Sequence, residues 1–193
     1  MPWEKQFDID QTLTTAMEAF WAYGYEATSM QDLVNCTAVN RASLYATYGD
    51  KRTLFLAALR HYDTKCRQAM LADLEKRFGP REAIRQLFLA FARQPVVDGM
   101  RRGCLITNTA LELAAHDAEV AQIVASGQAG IEAFFRRMIE NGKAAGEVRG
   151  GIDAVATARG LLAGLLGLVV LVRSRPDPDL LESIAEEAMR RLD

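Results

Sequence analysis

Apolar side chains recur every three or four residues in segment after segment of the chain, which is the period of an α-helix. In the first segment Leu13, Met17, Phe20 and Trp21 share one helical face, and Gly24 is placed to end the helix. No run of alternating apolar and polar residues with β-branched enrichment occurs, so no strand is predicted. The pattern predicts an all-α fold of about nine helices.

Two short helices follow the first one. Thr28 and Gln31 have the spacing of a capping box, which predicts a helix that ends at about Cys36. Asn40 is placed to cap the next helix, Arg41–Tyr48. Two short helices joined by a turn of three or four residues, on a hydrophobic first helix, form a helix-turn-helix.

The remaining helices are longer and more apolar. Asp50 is placed to cap a helix that runs as far as Phe78, before the break at Gly79 and Pro80. Five more helical segments follow, at approximately residues 84–94, 104–115, 117–145, 153–174 and 180–192.

Composition places the chain among folded, soluble proteins, since half of its 193 residues are hydrophobic and a quarter are charged. The N-terminus, Met1 to Lys5, has no apolar core and predicts no signal peptide. The longest apolar run, Gly160–Val172, is shorter than the 18 to 20 or so residues that a membrane span needs. The three cysteines show neither metal-ligand nor disulfide spacing. We therefore expect a cytoplasmic protein with no membrane segment, no metal and no cofactor.

Charge is distributed unevenly. The net charge of −2 lowers the expectation of nucleic-acid binding when it is taken alone. Between Cys36 and Arg67, however, six basic residues stand against two acidic ones. The segment that runs from the predicted recognition helix into the next helix is therefore locally positive, which favours contact with the phosphates of DNA.

The segment from Phe7 to Tyr62 resembles the DNA-reading domain of the TetR family of transcriptional repressors, of the AcrR-like kind. The resemblance rests on Gly24-Tyr25, Thr28, Asp32-Leu33, Val39, Ser43-Leu44-Tyr45, Tyr48, Lys51 and Leu54-Phe55. One departure is Ala38, where the family usually has glycine; if this turn position needs a positive φ, alanine costs about 1 kcal/mol. The resemblance implies a helix-turn-helix domain at residues 1–50 and a ligand-binding and dimerisation domain at 51–193.

A recognition helix enters the major groove through its N-terminal residues, here Arg41, Ala42 and Ser43. Arg41 suits guanine, with a phosphate as the alternative. Other residues suit phosphates, although Tyr45 has a partly buried core position as its alternative. The predicted contacts with a double-stranded, palindromic operator are Thr28, Ser29, Arg41, Ala42, Ser43, Tyr45, Thr47, Tyr48 and Lys51.

The family resemblance also implies a homodimer, because two recognition helices about 34 Å apart read successive major grooves. Small and apolar residues of the last two helices fit a helix-to-helix interface, with a monomer core helix as the alternative. The predicted interface residues are Gly160, Gly164, Leu165, Gly167, Leu168, Leu181, Ile184 and Ala188.

The resemblance further implies a pocket for a small-molecule effector whose identity the sequence does not give. Each wall residue has ordinary core packing as its alternative. The predicted wall consists of Phe88, Phe91, Met100, Cys104, Thr107, Asn108, Leu111, Phe134, Phe135 and Met138.

Cys104 is a candidate redox or electrophile sensor. It follows Gly103 at a predicted helix start, and Arg101 and Arg102 precede it; both features favour the thiolate. Gly103-Cys104-Leu105 also resembles a branch of the family with these residues at the start of its sixth helix. The alternative is an inert buried thiol.

Two other classes of protein compete with a repressor. A thiol- or metal-dependent helical enzyme is disfavoured, because only His61 and His116 are available and no phosphate loop or carboxylate–histidine motif occurs. A helical small-molecule or lipid carrier would leave the residues between Thr28 and Lys51 without a purpose. We expect a DNA-binding repressor without catalytic residues.

Overall fold

A computed structural model describes residues 7–97 and 99–193, and within these residues the chain forms nine helices. The segment Met1–Lys5 and the first six residues of the predicted domain 1–50 lie outside the described part. The helices are α1 Ile9–Tyr23, α2 Met30–Thr37, α3 Arg41–Tyr48, α4 residues 51–77, α5 Pro80–Ala92, α6 Leu105–Glu112, α7 Ala118–Ala144, α8 Ala154–Ser174 and α9 Pro178–Arg190. The all-α prediction is confirmed.

Side-chain caps begin most of these helices where the sequence places them. The predicted caps Asn40, Asp50 and Asp117 each accept a backbone N–H from the first turn of α3, α4 and α7. The capping box of α2 was predicted one residue too early. Ser29, not Thr28, is the N-cap, and Asp32 completes the box by accepting the backbone N–H of Ser29.

The predicted long helix α4 is continuous but not uniform. Its α-helical ends, Lys51–Tyr62 and Ala69–Arg77, flank a π-helical stretch at Asp63–Gln68. Within that stretch the buried Arg67 pairs with Asp63 at 2.5 Å and lies against Gly130 of α7. A Cβ at position 130 would come within 2.6 Å of the guanidinium, so a larger residue there would require the Arg67 side chain to shift.

Helices α1 to α3 and the start of α4 form a small N-terminal unit. Its core consists of Phe20, Leu33, Leu44, Leu54 and Phe55, each no more than 1% exposed. The ring of Phe55 packs edge-on against Phe20 at 5.0 Å and connects α4 to α1. Helix α3 lies on the surface of this unit and packs with its inner side against α2 and α4.

Helices α5 to α9 form the C-terminal body, in which α8 packs on α5, α7 and α9. Among the described residues, α8 alone has the length and hydropathy of a membrane span, with a mean hydropathy of 2.1. Seven of its residues are buried within the body, as in the core helix of a globular protein. Its opposite face is apolar and uncovered within the protomer, with Val170 40% exposed.

Candidate nucleic-acid interface

The N-terminus of α3 presents polar and small side chains to solvent. Arg41 and Ala42 are exposed and Ser43 is partly exposed, whereas Leu44 is 1% exposed and anchors the helix. Asn40 accepts the backbone N–H of Ser43 at 2.8 Å and so fixes the first turn. Arg41 reaches Gln31 of α2, with Nη2 3.4 Å from Oε1. The three residues predicted to enter a major groove lie together on an open surface.

The turn between α2 and α3 depends on Ala38. Its φ of 56° lies in the left-handed region, which alanine rarely adopts. Thr37 stabilises the turn, because its hydroxyl donates to the carbonyl of Leu33 at 2.6 Å and accepts the N–H of Val39 at 3.3 Å. The expected positive φ is therefore present at Ala38. The strained backbone of this turn sets the orientation of α3 relative to α2 and costs about 1 kcal/mol of stability.

Four further predicted DNA contacts lie on the surface, two within α3 and two in the segments beside it. Ser29 and Tyr45 are exposed, and Thr47 and Lys51 are partly exposed. The ammonium of Lys51 lies 4.3 Å from the centroid of the Tyr25 ring, which orients it without neutralising its charge. These side chains are available to oxygen ligands beside the recognition helix.

Two predicted phosphate contacts are wrong as far as their side chains are concerned. Thr28 is 1% exposed, and its hydroxyl donates to the carbonyl of Gly24 at 2.6 Å. The hydroxyl of Tyr48 is buried and has no hydrogen-bond partner among the described residues. Burial raises the pKa of Tyr48 above its ordinary value. The Thr28 side chain and the Tyr48 hydroxyl are therefore enclosed, although Tyr48 as a whole is partly exposed.

Sequence reasoning missed the contacts between the N-terminal unit and the body. Arg52 binds Asp117 through Nε at 2.7 Å and Nη2 at 2.9 Å, and it also reaches Glu119 at 3.2 Å. The Arg52 hydrogen bond lowers the pKa of Asp117 to about 2. Asp117 therefore caps α7 and ties it to the start of α4. The sequence shows the cap as a local pattern. The ion pair between Arg52 and Asp117 joins residues 65 positions apart, and no local pattern indicates it.

Glu112 makes a second connection of this kind. As the last residue of α6, it accepts the backbone N–H of Tyr25 at 3.3 Å and that of Glu26 at 3.0 Å. Gly24 permits the approach, since a Cβ there would lie 3.2 Å from the Glu112 carboxylate, and its φ is 86°. The loop that leads into α2 is thus held by the body.

The predicted effector wall divides into two groups. One group is at most 7% exposed and belongs to the hydrophobic core, which agrees with the alternative of ordinary core packing. It consists of Phe88, Phe91, Phe134, Phe135 and Met138. Leu111 and Asn108 instead line a cavity beside α1, and Met100 lines a neighbouring one. Thr107 is 7% exposed. The ten residues therefore do not surround a single pocket.

Cys104 is the N-cap residue of α6 and is 4% exposed. The two arginines that precede it have contacts of their own. Arg101 donates to the carbonyl of Ala92 at 3.0 Å, and the Arg102 guanidinium lies 5.8 Å from the Trp21 ring. The predicted place of Cys104 at a helix start is confirmed, and the effect of the two arginines on the thiol stays a prediction.

The predicted dimer face is wrong at four positions. The protomer's own core already buries Leu165, Leu168, Leu181 and Ala188, which are at most 6% exposed. Gly160 is partly exposed but lies beside the protomer's own Arg191, whose guanidinium would be 2.8 Å from an added Cβ. Gly164 and Ile184 are partly exposed and Gly167 is exposed. Periodicity found the helices but did not identify their outer faces.

Comparisons with known proteins agree with this architecture. Residues 13–58 match the family described as bacterial regulatory proteins, tetR family, and residues 80–188 match the tetracyclin repressor-like C-terminal domain. The chain is 35% identical to the uncharacterized HTH-type transcriptional regulator YezE of Bacillus subtilis, with 98% of each chain covered. It is 30% identical to the HTH-type transcriptional repressor ComR of Escherichia coli, over 96% of this chain and 89% of ComR.

A solved relative has the same fold in complex with DNA. It is a cysteine-substituted form of the TetR family transcriptional regulator CifR with 26-base-pair double-strand operator DNA. CifR superposes with a TM-score of 0.83 at 28% identity, covering 97% of each chain. With its helix-turn-helix, its helical body and matches over both parts, the chain belongs to the TetR family of DNA-binding transcriptional regulators.

Proposed function

We propose that the protein is a repressor that binds a palindromic operator as a homodimer and is released by a small-molecule or electrophilic effector. The exposed N-terminus of α3, with Arg41, Ala42 and Ser43 on one open surface, carries the DNA-binding part. The reading unit is residues 1–50 and the sensing body is residues 51–193, and the first turns of α4 in the body pack against the reading unit through Phe55. DNA binding implies a cytoplasmic location.

Operator binding is tested by fluorescence anisotropy with a palindrome from the protein's own promoter region and a scrambled duplex. We expect preference for the palindrome and an affinity that falls steeply between about 50 and 200 mM salt, because phosphate neutralisation releases counterions. Equal affinity for both duplexes, or no binding at low salt, would contradict the proposal.

Dimerisation is assigned to the outer face of α8, where only Gly167 belongs to the residues first predicted. Ala163, Leu166, Gly167 and Val170 lie on that face and are exposed or partly exposed. Close helix approach is supported by Gly167, whose added Cβ would meet nothing within 4 Å of this protomer. Burying these residues against a second copy would cover the uncovered apolar face of α8.

The dimer face is tested with Val170→Arg, with Val97→Arg as the matched control, because both valines are 40% exposed. Analytical ultracentrifugation is expected to show monomers for Val170→Arg and dimers for Val97→Arg. A dimeric Val170→Arg protein would contradict this face.

Effector release is assigned to α6, which begins after Cys104 and ends at Glu112. A group added at Cys104 displaces a 4%-exposed thiol from its packing and thereby moves the helix whose last residue holds the loop before α2. An effector releases DNA only through such a difference in affinity between two states.

The sensor is tested in a Cys36→Ser, Cys66→Ser background, in which N-ethylmaleimide can modify only Cys104. We expect the reagent to release operator from this protein and to leave the version with Cys104→Ser bound. Equal behaviour of the two proteins would overturn the sensor role and leave operator binding itself unaffected.

A further inference from the structure

A cavity of about 340 Å³ lies where the N-terminal unit meets the body. One wall is aromatic and belongs to α1 and the loop after it, including Trp21, Tyr23 and Tyr25. The opposite wall is α6, with Asn108 and Leu111, and Arg173 at the end of α8 closes one side. The volume is within the range of small-molecule sites in proteins.

Large apolar side chains are exposed around this cavity. Leu111 is 74% exposed and Tyr23 is 62% exposed, and both line it. An adjoining cavity of about 230 Å³ contains Val96, which is 59% exposed, and Met100, which is 44% exposed. Clustered apolar exposure of this kind marks a surface that another molecule covers.

The charged group available to a ligand is positive. Arg173 lines both cavities, and its Cδ would lie 3.2 Å from a Cβ at Gly103, so the side chain runs along that glycine. Within residues 7–97 and 99–193, no carboxylate lies at ion-pair distance from Arg173.

The other charge in the cavity is already engaged. Glu112 accepts two backbone N–H groups, those of Tyr25 and Glu26. Asn108 donates to the carbonyl of Arg102 at 3.0 Å, and its Oδ1 would lie 3.4 Å from a Cβ at Gly103, beside Arg173. The cavity therefore has an open cationic end near Arg173 and an aromatic interior.

We propose that this cavity binds a small organic anion with an apolar body, such as an aromatic or branched monocarboxylate. A guanidinium pairs with a carboxylate through two parallel hydrogen bonds, and Trp21 and Tyr23 cover the apolar body. The cavity has one wall in each unit, so occupancy acts on the geometry of the DNA-reading surface. That last step rests on the proposed repressor function, whereas binding of the anion does not.

Trp21 provides a direct measurement. The chain has two tryptophans, and Trp3→Phe leaves Trp21 as the remaining one. In this protein we expect benzoate to change the fluorescence saturably and benzamide, which has the same shape without the charge, to bind at least tenfold more weakly. Arg173→Gln is expected to weaken benzoate binding at least tenfold. Arg175→Gln, an exposed arginine two residues along, is expected to leave it unchanged.

Three results would overturn the site: no saturable change with benzoate, equal losses for Arg173→Gln and Arg175→Gln, or tighter binding of benzylamine than of benzoate. The benzamide comparison uses the unaltered cavity, so it holds even if Arg173→Gln fails to fold. No DNA is present in the titration. Failure of anion binding is therefore distinguishable from failure of operator binding.

Discussion

The recognition helix α3 and the apolar helix α8 are held in place in different ways. In α3 a single residue of eight, Leu44, is buried, and the helix depends on the Asn40 cap and on its neighbours for support. In α8 seven of 21 residues are buried, and the helix has a second apolar face that remains uncovered. Side chains on α3 are thus free for a ligand, whereas α8 has one face that stabilises the body and a second face that we propose for dimerisation.

The largest expected effect separates the two faces of α8. Leu168→Ala removes a fully buried side chain and is expected to lower the free energy of unfolding by about 2–5 kcal/mol. Val170→Ala lies on the outer face, so its effect is expected to be smaller and to depend on protein concentration. Urea unfolding at two concentrations measures both, and equal losses would remove the distinction between the faces.

Truncation of α3 is expected to affect binding rather than folding. Arg41→Ala is expected to weaken operator binding by about 1–3 kcal/mol, which is roughly 5- to 150-fold. The unfolding midpoint is expected to stay unchanged, because Arg41 is exposed. Arg77→Ala, an exposed arginine at the end of α4, serves as control and is expected to leave affinity unaltered. A loss of stability in Arg41→Ala would show that α3 depends on this side chain.

A glycine in the turn before α3 is expected to change the free energy of unfolding by a smaller amount, and a glycine within α3 is expected to change it in the opposite direction. Ala38→Gly relieves the strain of a φ of 56° and is expected to raise the free energy of unfolding by about 1 kcal/mol. Ala46→Gly, in the exposed interior of α3, is expected to lower it by a similar amount. Thermal unfolding measures both. Destabilisation by Ala38→Gly would contradict the strained turn.

The smallest expected effect concerns the junction of the two units. Because the pKa of Asp117 is lowered to about 2 from 3.8, its ion pair with Arg52 contributes to stability above about pH 4 and is lost as the pH falls toward 2. Asp117→Asn keeps a capping side chain and removes the charge, so it is expected to flatten the pH dependence of unfolding in that window. Asp153→Asn, which changes the cap of α8, is the control. An unchanged pH profile for Asp117→Asn would contradict the pairing.

Local polar signals were predictable from the sequence. Asn40, Asp50 and Asp117 act as caps through contacts within three residues, which a sequence displays directly. The error at Thr28 has the same origin, because two overlapping cap signals occur: Thr28 with Gln31 and Ser29 with Asp32. Only packing decides between them, and it buries Thr28.

Faces and long-range contacts were not predictable. α8 is apolar almost all round, so its periodicity does not say which side faces the body, and Leu168 was assigned to the wrong side. Glu112 and its backbone partners lie 86 and 87 residues apart, and no local pattern marks that contact. The surface of α3 was therefore predicted more completely than the C-terminal body.

The most direct test of the account is an affinity scan over operators in which each base pair is replaced in turn, with wild type, Arg41→Ala and Lys51→Gln. We predict that Arg41→Ala loses discrimination at one symmetric position in each half-site, and that Lys51→Gln weakens binding to every operator alike with a salt slope reduced by about one. Uniform weakening by Arg41→Ala, with base preference intact at every position, would contradict the claim that the N-terminus of α3 reads the sequence.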